Sequence, residues 1–349
     1  MQKVFKNGQF LRCGFTTGSA AAGAAGAAVE LLLDGAVGAT VKIDLPNGGY
    51  LELPVESAVH EGEAAVAGIK KDAGDDPDVT DGLIIYASVS LRQDGMVAIR
   101  GGEGVGCYTR ELFGNQAGEA AINKVPRQMI TREILKRHPG GAEVKISVPG
   151  GAEIALKTFN PRLGIAGGIS IIGTTGIVEP MSESAVKTSL RLEIDLYRVT
   201  NQQFILLAAG NHALDRLEGS AAVKVGNFWD EALSYSYSIG YRNFKLHGHI
   251  GKLIKLAVGC YNTHSQVCDV RLEALVYYLS MQGAPSELLH VINQCLTAEE
   301  AVEIICQNNR QSVFADIQAG IISRVKRFLK DDTIQVEAGF YSFGRGLLI

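Results

Sequence analysis

The chain has 349 residues, with 33 Lys+Arg against 37 Asp+Glu for a formal net charge of −4, and 46% of its residues are hydrophobic. At roughly 100–200 residues per domain this length predicts two domains or one large one, and the apolar content excludes a disordered chain. Mild acidity argues against broad binding to nucleic acid or an anionic membrane, both of which need a strong positive field, so an anionic ligand must be caught locally by a few placed groups.

No stretch reaches the roughly 18 apolar residues of a membrane span, and the N-terminal MQKVFKNGQF lacks the apolar core of a secretory signal. A cytoplasmic location is expected. The six cysteines, at 13, 107, 260, 268, 295 and 306, form no C-x-x-C pair and are too sparse for a disulfide framework. They are read as reduced thiols, and no metal site is assigned. Glycine is the compositional outlier, 41 of 349 residues or about 12% against an ordinary ~7%. It gathers at the ends of apolar segments, where a backbone needs positive φ or a close approach.

In chain order, LRCGFTTGS (11–19) is a loop that feeds an Ala-rich helix, with Thr17 or Ser19 as its cap and Gly23 and Gly26 in its interior. Residues 41 to about 148 alternate as short strands, VKIDL, YLELPV, GLIIYASVSL, MVAIR and EVKISV, with a helix at 127–137. Pro149-Gly150-Gly151 reads as the turn of a hairpin that closes near Leu156. After Asn160-Pro161 the runs LGIAGGISII, FILLAAG, AAVKVGN and NFKLHG alternate with helical stretches at 182–199, 228–240, 251–259 and 265–283. Such alternation predicts a parallel sheet covered on both faces, with ligands at the carboxyl ends of its strands. The expected class is therefore α/β: a mainly β, α+β domain over residues 1–158 with glycine-rich substrate loops, and a Rossmann-like, mostly parallel α/β domain over 159–349.

The loops after these runs carry the candidate chemistry. Gly173-Thr174-Thr175-Gly176 followed by Glu179 offers N–H groups, hydroxyls and a carboxylate for ribose, or else a tight connection, since it is not the G-x-G-x-x-G fingerprint. Gly210-Asn211-His212 and Gly226-Asn227 end two further strands, and Trp229 is either core or a face for adenine. Gly251-Lys252 opens a helix, but Leu253 breaks the phosphate-loop pattern and disfavours ATP hydrolysis, leaving an anion site from the helix N-terminus plus Lys252. His247 and His249 are read as pointing oppositely and so as no metal pair. His264, placed at a helix start, is either an acid/base or a capping partner. Gly101–Cys107 is the densest glycine run, and Arg110 and Arg127 beyond it have the fork geometry for carboxylates.

Together LRCGFTTGSAAAGAA, GGEGVGCYTR, GEAAINKVPRQMI, NPRLGIAGGISIIGTTGIVEPMSESA, HGHIGKLIKLAVG and NTHSQVCDVRLEAL, in this order over residues 11 to about 280, resemble the CbiD family, the cobalt-precorrin-5B C1-methyltransferases of anaerobic cobalamin biosynthesis. The chain departs from the family pattern at Cys13, Ser19-Ala20, Arg110-Glu111-Leu112 and Gly210-Asn211-His212.

The resemblance implies methyl transfer from S-adenosyl-L-methionine, a cosubstrate, to C1 of a corrinoid precursor, with cobalt present only as part of that substrate. It also implies contact with other enzymes of the cobalamin pathway, while the oligomeric state, a homodimer included, stays open. The alternative reading is a non-catalytic carrier of corrinoid intermediates. On the methyltransferase reading the donor is expected at Gly173, Thr174, Thr175, Gly176, Glu179, Gly210, Asn211 and Gly226. Substrate contacts are expected from Arg12, Thr16, Thr17, Ser19, Gly104, Arg110, Asn123, Arg127, His247 and Lys252. His264 is the candidate catalytic residue, although positioning and exclusion of water can carry an in-line displacement onto an electron-rich carbon without a base.

Overall fold

The computed structural model describes residues 2–6, 8–111, 115–217 and 219–349; Leu112, one of the family departures, lies outside them. The fold class is α/β. The chain divides into two compact units, Met1–Ser182 and Glu183–Ile349. The first unit therefore runs past the expected boundary at 158/159.

In the first unit the Ala-rich segment forms the helix Thr17–Asp34, and its small residues are buried on every face. Thr16, not Thr17 or Ser19, is its N-cap, accepting from Ser19 N at 3.1 Å. The missing side chain of Gly23 is what lets the helix close on its neighbours: a Cβ there would lie 2.8 Å from Leu53 Cδ1. The helix packs on Lys124–Arg137 and on a five-stranded mixed sheet. The strand order is Ser57–Glu61, Ala64–Lys70, Ile84–Leu91, Gly141–Ser147, Met96–Gly101, with only the last pair parallel. The Ser57–Glu61/Ala64–Lys70 hairpin is not expected from the sequence because Ala and Gly, both depleted in strands, make up most of AAVAG.

Two expectations fail in this unit. No hairpin follows Ser147: Gly150, at φ +78°, reverses the chain into the short helix Gly151–Ala155. A Cβ on Gly151 would lie 2.3 Å from Gly104 O. Nor is 163–172 a strand of a parallel sheet. Only Ile165–Ala166 forms a strand, paired with Cys107–Tyr108, and Ile169 and Ile171 make isolated bridges to Val105 and Ile122, because Gly164 and Gly167 adopt positive φ and break the extended run.

In the second unit the sheet order is Val223–Lys224, Ile205–Ala208, Asn243–His249, Gln335–Ser342, Gly346–Leu347, the first four strands parallel and the last antiparallel. Leu207, Leu246 and Ala338 share one register row of the core. Trp229 is fully buried and so belongs to that core. The helix expected from residue 265 begins only at Arg271. The residues before it form a loop closed by a Cys260–Cys268 disulfide, Cα–Cα 6.7 Å, so these two cysteines are not the reduced thiols expected from their number. No helix among the described residues is long and apolar enough to cross a membrane.

Candidate functional site

In the second unit, the chain leaves Ile205–Ala208 toward one side of the sheet and returns on the other at Asn243–His249. Ligands of open parallel sheets sit where the strand order reverses in this way, outside the carboxyl ends. Ala209-Gly210 and His249-Ile250 stand at those ends here. Lys252 Nζ donates to Ala209 O at 3.1 Å, and Lys224 Nζ donates to Asn211 Oδ1 at 3.1 Å. Burial lowers the Lys252 pKa, and the charges of Lys255 and Lys224 lower it further. Cations are therefore crowded at this edge, an arrangement that an incoming carboxylate relieves. His247 Nε2 is buried without a hydrogen-bond partner in the same region, and burial together with the Arg216 charge lowers its pKa.

A cleft of about 340 Å³ continues from this edge, lined by Asn227, His249, Lys252, Lys255, His264 and Glu299 among others. Lys255 is fully buried and donates to Thr263 O (3.0 Å) and Cys268 O (2.6 Å), so one ammonium ties down the disulfide-closed loop. His249 and Glu299 are hydrogen-bonded to each other in the cleft. Gly251 N donates to His249 Nδ1 at 3.1 Å, which leaves the ring proton on Nε2, 2.5 Å from Glu299 Oε1. Phe343 N and Gly344 N also donate to Glu299, at 2.9 and 3.1 Å. Burial opposes ionisation of Glu299, but the three donors outweigh it and hold the carboxyl below its ordinary value. His247 and His249 both pack against Tyr341, at 5.5 and 5.7 Å, because residues two apart on a strand share a face; the expectation of opposite faces is corrected.

The other expected residues scatter. His264 lines the cleft but is exposed, and it sits in the loop rather than at a helix start, with Nδ1 accepting from Gln266 N at 3.2 Å. Gly210 and Gly226 lie at strand ends as expected. Gly173–Gly176 do not: they belong to the first unit and wrap the start of its Ala-rich helix. There Thr16 N donates to Gly176 O (3.1 Å), Ser19 Oγ donates to Gly176 O (2.7 Å), and Thr17 Oγ1 accepts from Ile172 N (2.9 Å). Thr16, Thr17 and Ser19 thus meet the Gly-Thr-Thr-Gly loop and the residues before it, but their hydroxyls are engaged: Thr16 with Ser19, Thr17 with the backbone of Ser170 and Ile172, and Ser19 with Gly176 O. Thr174, Thr175 and Glu179 are exposed on it.

Several of the residues expected to contact substrate make their described contacts within the first unit. Arg12 grips Asp72 through both terminal nitrogens, at 2.5 and 2.9 Å. Arg127 donates to the carbonyls of Ile122 (2.8 Å), Ile99 (3.2 Å) and Ala120 (3.5 Å). Gly104 is buried, and a Cβ on it would lie 1.8 Å from Val148 O, so its glycine serves packing rather than ligand access. Asn123 is an N-cap residue whose Oδ1 accepts from Tyr108 OH at 3.4 Å. Arg110 is exposed. A second cleft, about 520 Å³, is lined by Lys124, Arg127 and Arg132 in this unit. Glu299, Lys255 and Phe343 escape the sequence reading altogether. A capping box was the available signal for Glu299: Thr297 Oγ1 accepts from Glu300 N and Glu300 Oε2 from Leu296 N, which fixes the helix start.

The CbiD family model matches residues 4–180, and the model for the CbiD C-terminal domain matches residues 262–349. The chain belongs to the CbiD family. A cobalt-precorrin-5B C(1)-methyltransferase of Treponema denticola is 47% identical over 99% of this chain and 98% of its own length. One of Alkaliphilus oremlandii is 45% identical over the same shares. A crystal structure of the cobalamin biosynthesis protein CbiD of Archaeoglobus fulgidus is 30% identical, over 81% of this chain and 88% of that one, with a TM-score of 0.43. The first CbiD match ends two residues before the structural division at Ser182.

Proposed function

We propose that this chain transfers a methyl group from S-adenosylmethionine to C1 of cobalt-precorrin-5B, giving cobalt-precorrin-6A. The observation that carries this reading is end-to-end identity of 47% with a relative of that name. Cobalt enters as part of the substrate.

The donor is assigned to the carboxyl edge of the second-unit sheet, around Gly210, Asn211 and Gly226. Its methionine carboxylate matches the crowded ammonium of Lys252, and the partnerless His247 Nε2 is a buried polar atom for a polar ligand to satisfy. When bound, S-adenosylmethionine supplies an electrophilic methyl group on sulfur. The chain's own part is to hold carboxylates with Lys252 and Lys255, to align donor and acceptor, and to keep water out. The cationic cleft suits the acetate and propionate groups of a corrinoid rim equally well.

Calorimetry with S-adenosylmethionine and S-adenosylhomocysteine, followed by single-turnover methyl transfer to the cobalt-precorrin, tests the reading. Binding of both, with a methylated corrinoid product, is expected. A protein that binds corrinoid and neither sulfur compound is a carrier, and the proposal falls.

A further inference from the structure

We infer that Phe343 is a fixed stacking surface for the adenine ring of the methyl donor, an inference that rests on the methyltransferase reading above. Phe343 follows the last residue of the Gln335–Ser342 strand, at the carboxyl edge of the parallel sheet, and is 53% exposed. An exposed aromatic ring on a loop is ordinarily loose. This one is held from three directions.

Its backbone N–H and that of Gly344 are both bound by Glu299. Its ring stacks on His249, with centroids 4.8 Å apart and planes 23° off parallel. His249 is itself pinned by Glu299 on one nitrogen and by Gly251 N on the other. His212, from the Gly210-Asn211-His212 loop at the neighbouring strand end, meets the Phe343 ring edge-on at 5.4 Å and 84°. Two residues further on, Arg345 forks Glu303 at 2.9 and 2.7 Å and anchors the far side of the turn.

The network has no need of an exposed phenyl. Glu299 binds main-chain N–H groups, so any residue at position 343 satisfies it. What the arrangement adds is orientation: a flat apolar face whose rotamer entropy is already spent, beside the Gly210 loop and His249, where the donor crevice lies. Pre-fixed rings lose little freedom on stacking a base, and a base of any identity offers a π-face. The donor's only aromatic group is its adenine, so adenine is the occupant. Glu299 and His249 line the carboxylate-binding cleft and also hold the ring, which places purine and methionine ends of one ligand on a common support.

The test is titration of S-adenosylhomocysteine and of adenosine into wild type, Phe343→Ala and Phe343→Trp. Phe343→Ala should keep its thermal midpoint and weaken both ligands at least tenfold. Phe343→Trp should retain affinity and show emission quenched by adenosine; the native Trp229 is fully buried and reports separately on the core. Wild-type affinity for both ligands in Phe343→Ala, with corrinoid binding weakened or not, overturns the adenine assignment. Failure of wild type itself to bind S-adenosylhomocysteine instead removes the donor reading, and the subsite with it.

Discussion

At the scale of single residues, the types that suggest ligand chemistry have mostly been recruited by the backbone. Arg127, Thr16, Thr17 and Ser19 stand beside glycine-rich turns because such turns present carbonyls and N–H groups that need partners, while Arg12 is held by the Asp72 carboxylate. Sequence shows the residue types but not which groups they find, so Lys252 and the strand-end glycines were legible and Glu299 was not. His264 illustrates the difference between His and a working base. Among the described residues no carboxylate is hydrogen-bonded to it, and Nδ1 accepts from Gln266 N. His264→Ala should therefore keep single-turnover methyl transfer within about a hundredfold of wild type, below the upper range for loss of a true base. A thousandfold loss with disappearance of a titration near neutrality would assign it the proton transfer. Glu299 gives a pH signature of its own. Its folded pKa lies below the ordinary value, so its carboxylate stabilises the fold above the unfolded pKa of about 4.3, and that contribution is lost as pH falls through the lower folded value. The stability difference between wild type and Glu299→Gln, from urea unfolding, should be full at pH 6 and shrink below about pH 4. A difference constant down to pH 2 would contradict the hydrogen-bonded carboxylate.

At the scale of elements, alternation of apolar residues was enough to find Ile205–Ala208, Val223–Lys224 and Asn243–His249 and the two long helices of the first unit, but not the strand Gln335–Ser342 that completes the parallel part of the second-unit sheet. It misled where glycine interrupts an apolar run: 163–172 has the composition of a buried strand, but Gly164 and Gly167 turn it into a bridge-tied loop. Partner choice between elements was also hidden. The helices Thr17–Asp34 and Lys124–Arg137 are joined by a charge network that no periodicity shows. Arg137 pairs with Glu30 at 2.8 Å and with the fully buried Glu133 at 2.5 Å, and Glu133 also accepts from Asp44 N at 2.8 Å. Removing one partner of a buried pair strands the other, at a cost of about 3–5 kcal/mol. Glu133→Ala should lower the urea-derived stability by about that amount, with Glu133→Gln intermediate because it keeps an acceptor for Asp44 N. A loss below about 1 kcal/mol would mean that water reaches Arg137 and that the network contributes little.

At the scale of the whole molecule, Asn160-Pro161 is a strong turn signal, and the change of rhythm after it invites a boundary there. Packing sets a different one. Ile169 and Ile171 are buried in the first unit's core, and Thr17 bonds the backbone at Ile172. Ile177–Val178 then pairs with Gly14–Phe15. A turn marks where a chain bends, whereas a domain ends where its last core residue is buried, and the latter depends on contacts more than 150 residues away in sequence. The consequence can be measured on fragments. Residues 1–182 and 183–349 each retain a complete apolar cluster, so each should unfold cooperatively in urea with near-ultraviolet dichroism intact. A fragment ending at 158 forfeits the two isoleucines, worth roughly 1.5–3 kcal/mol apiece, and leaves the start of the central helix without its covering segment. Against an ordinary domain stability of about 5–15 kcal/mol, that loss should leave residues 1–158 non-cooperative and binding hydrophobic dye. Equal cooperativity of the 1–158 and 1–182 fragments would show that residues 159–182 are a surface strap rather than part of the first core.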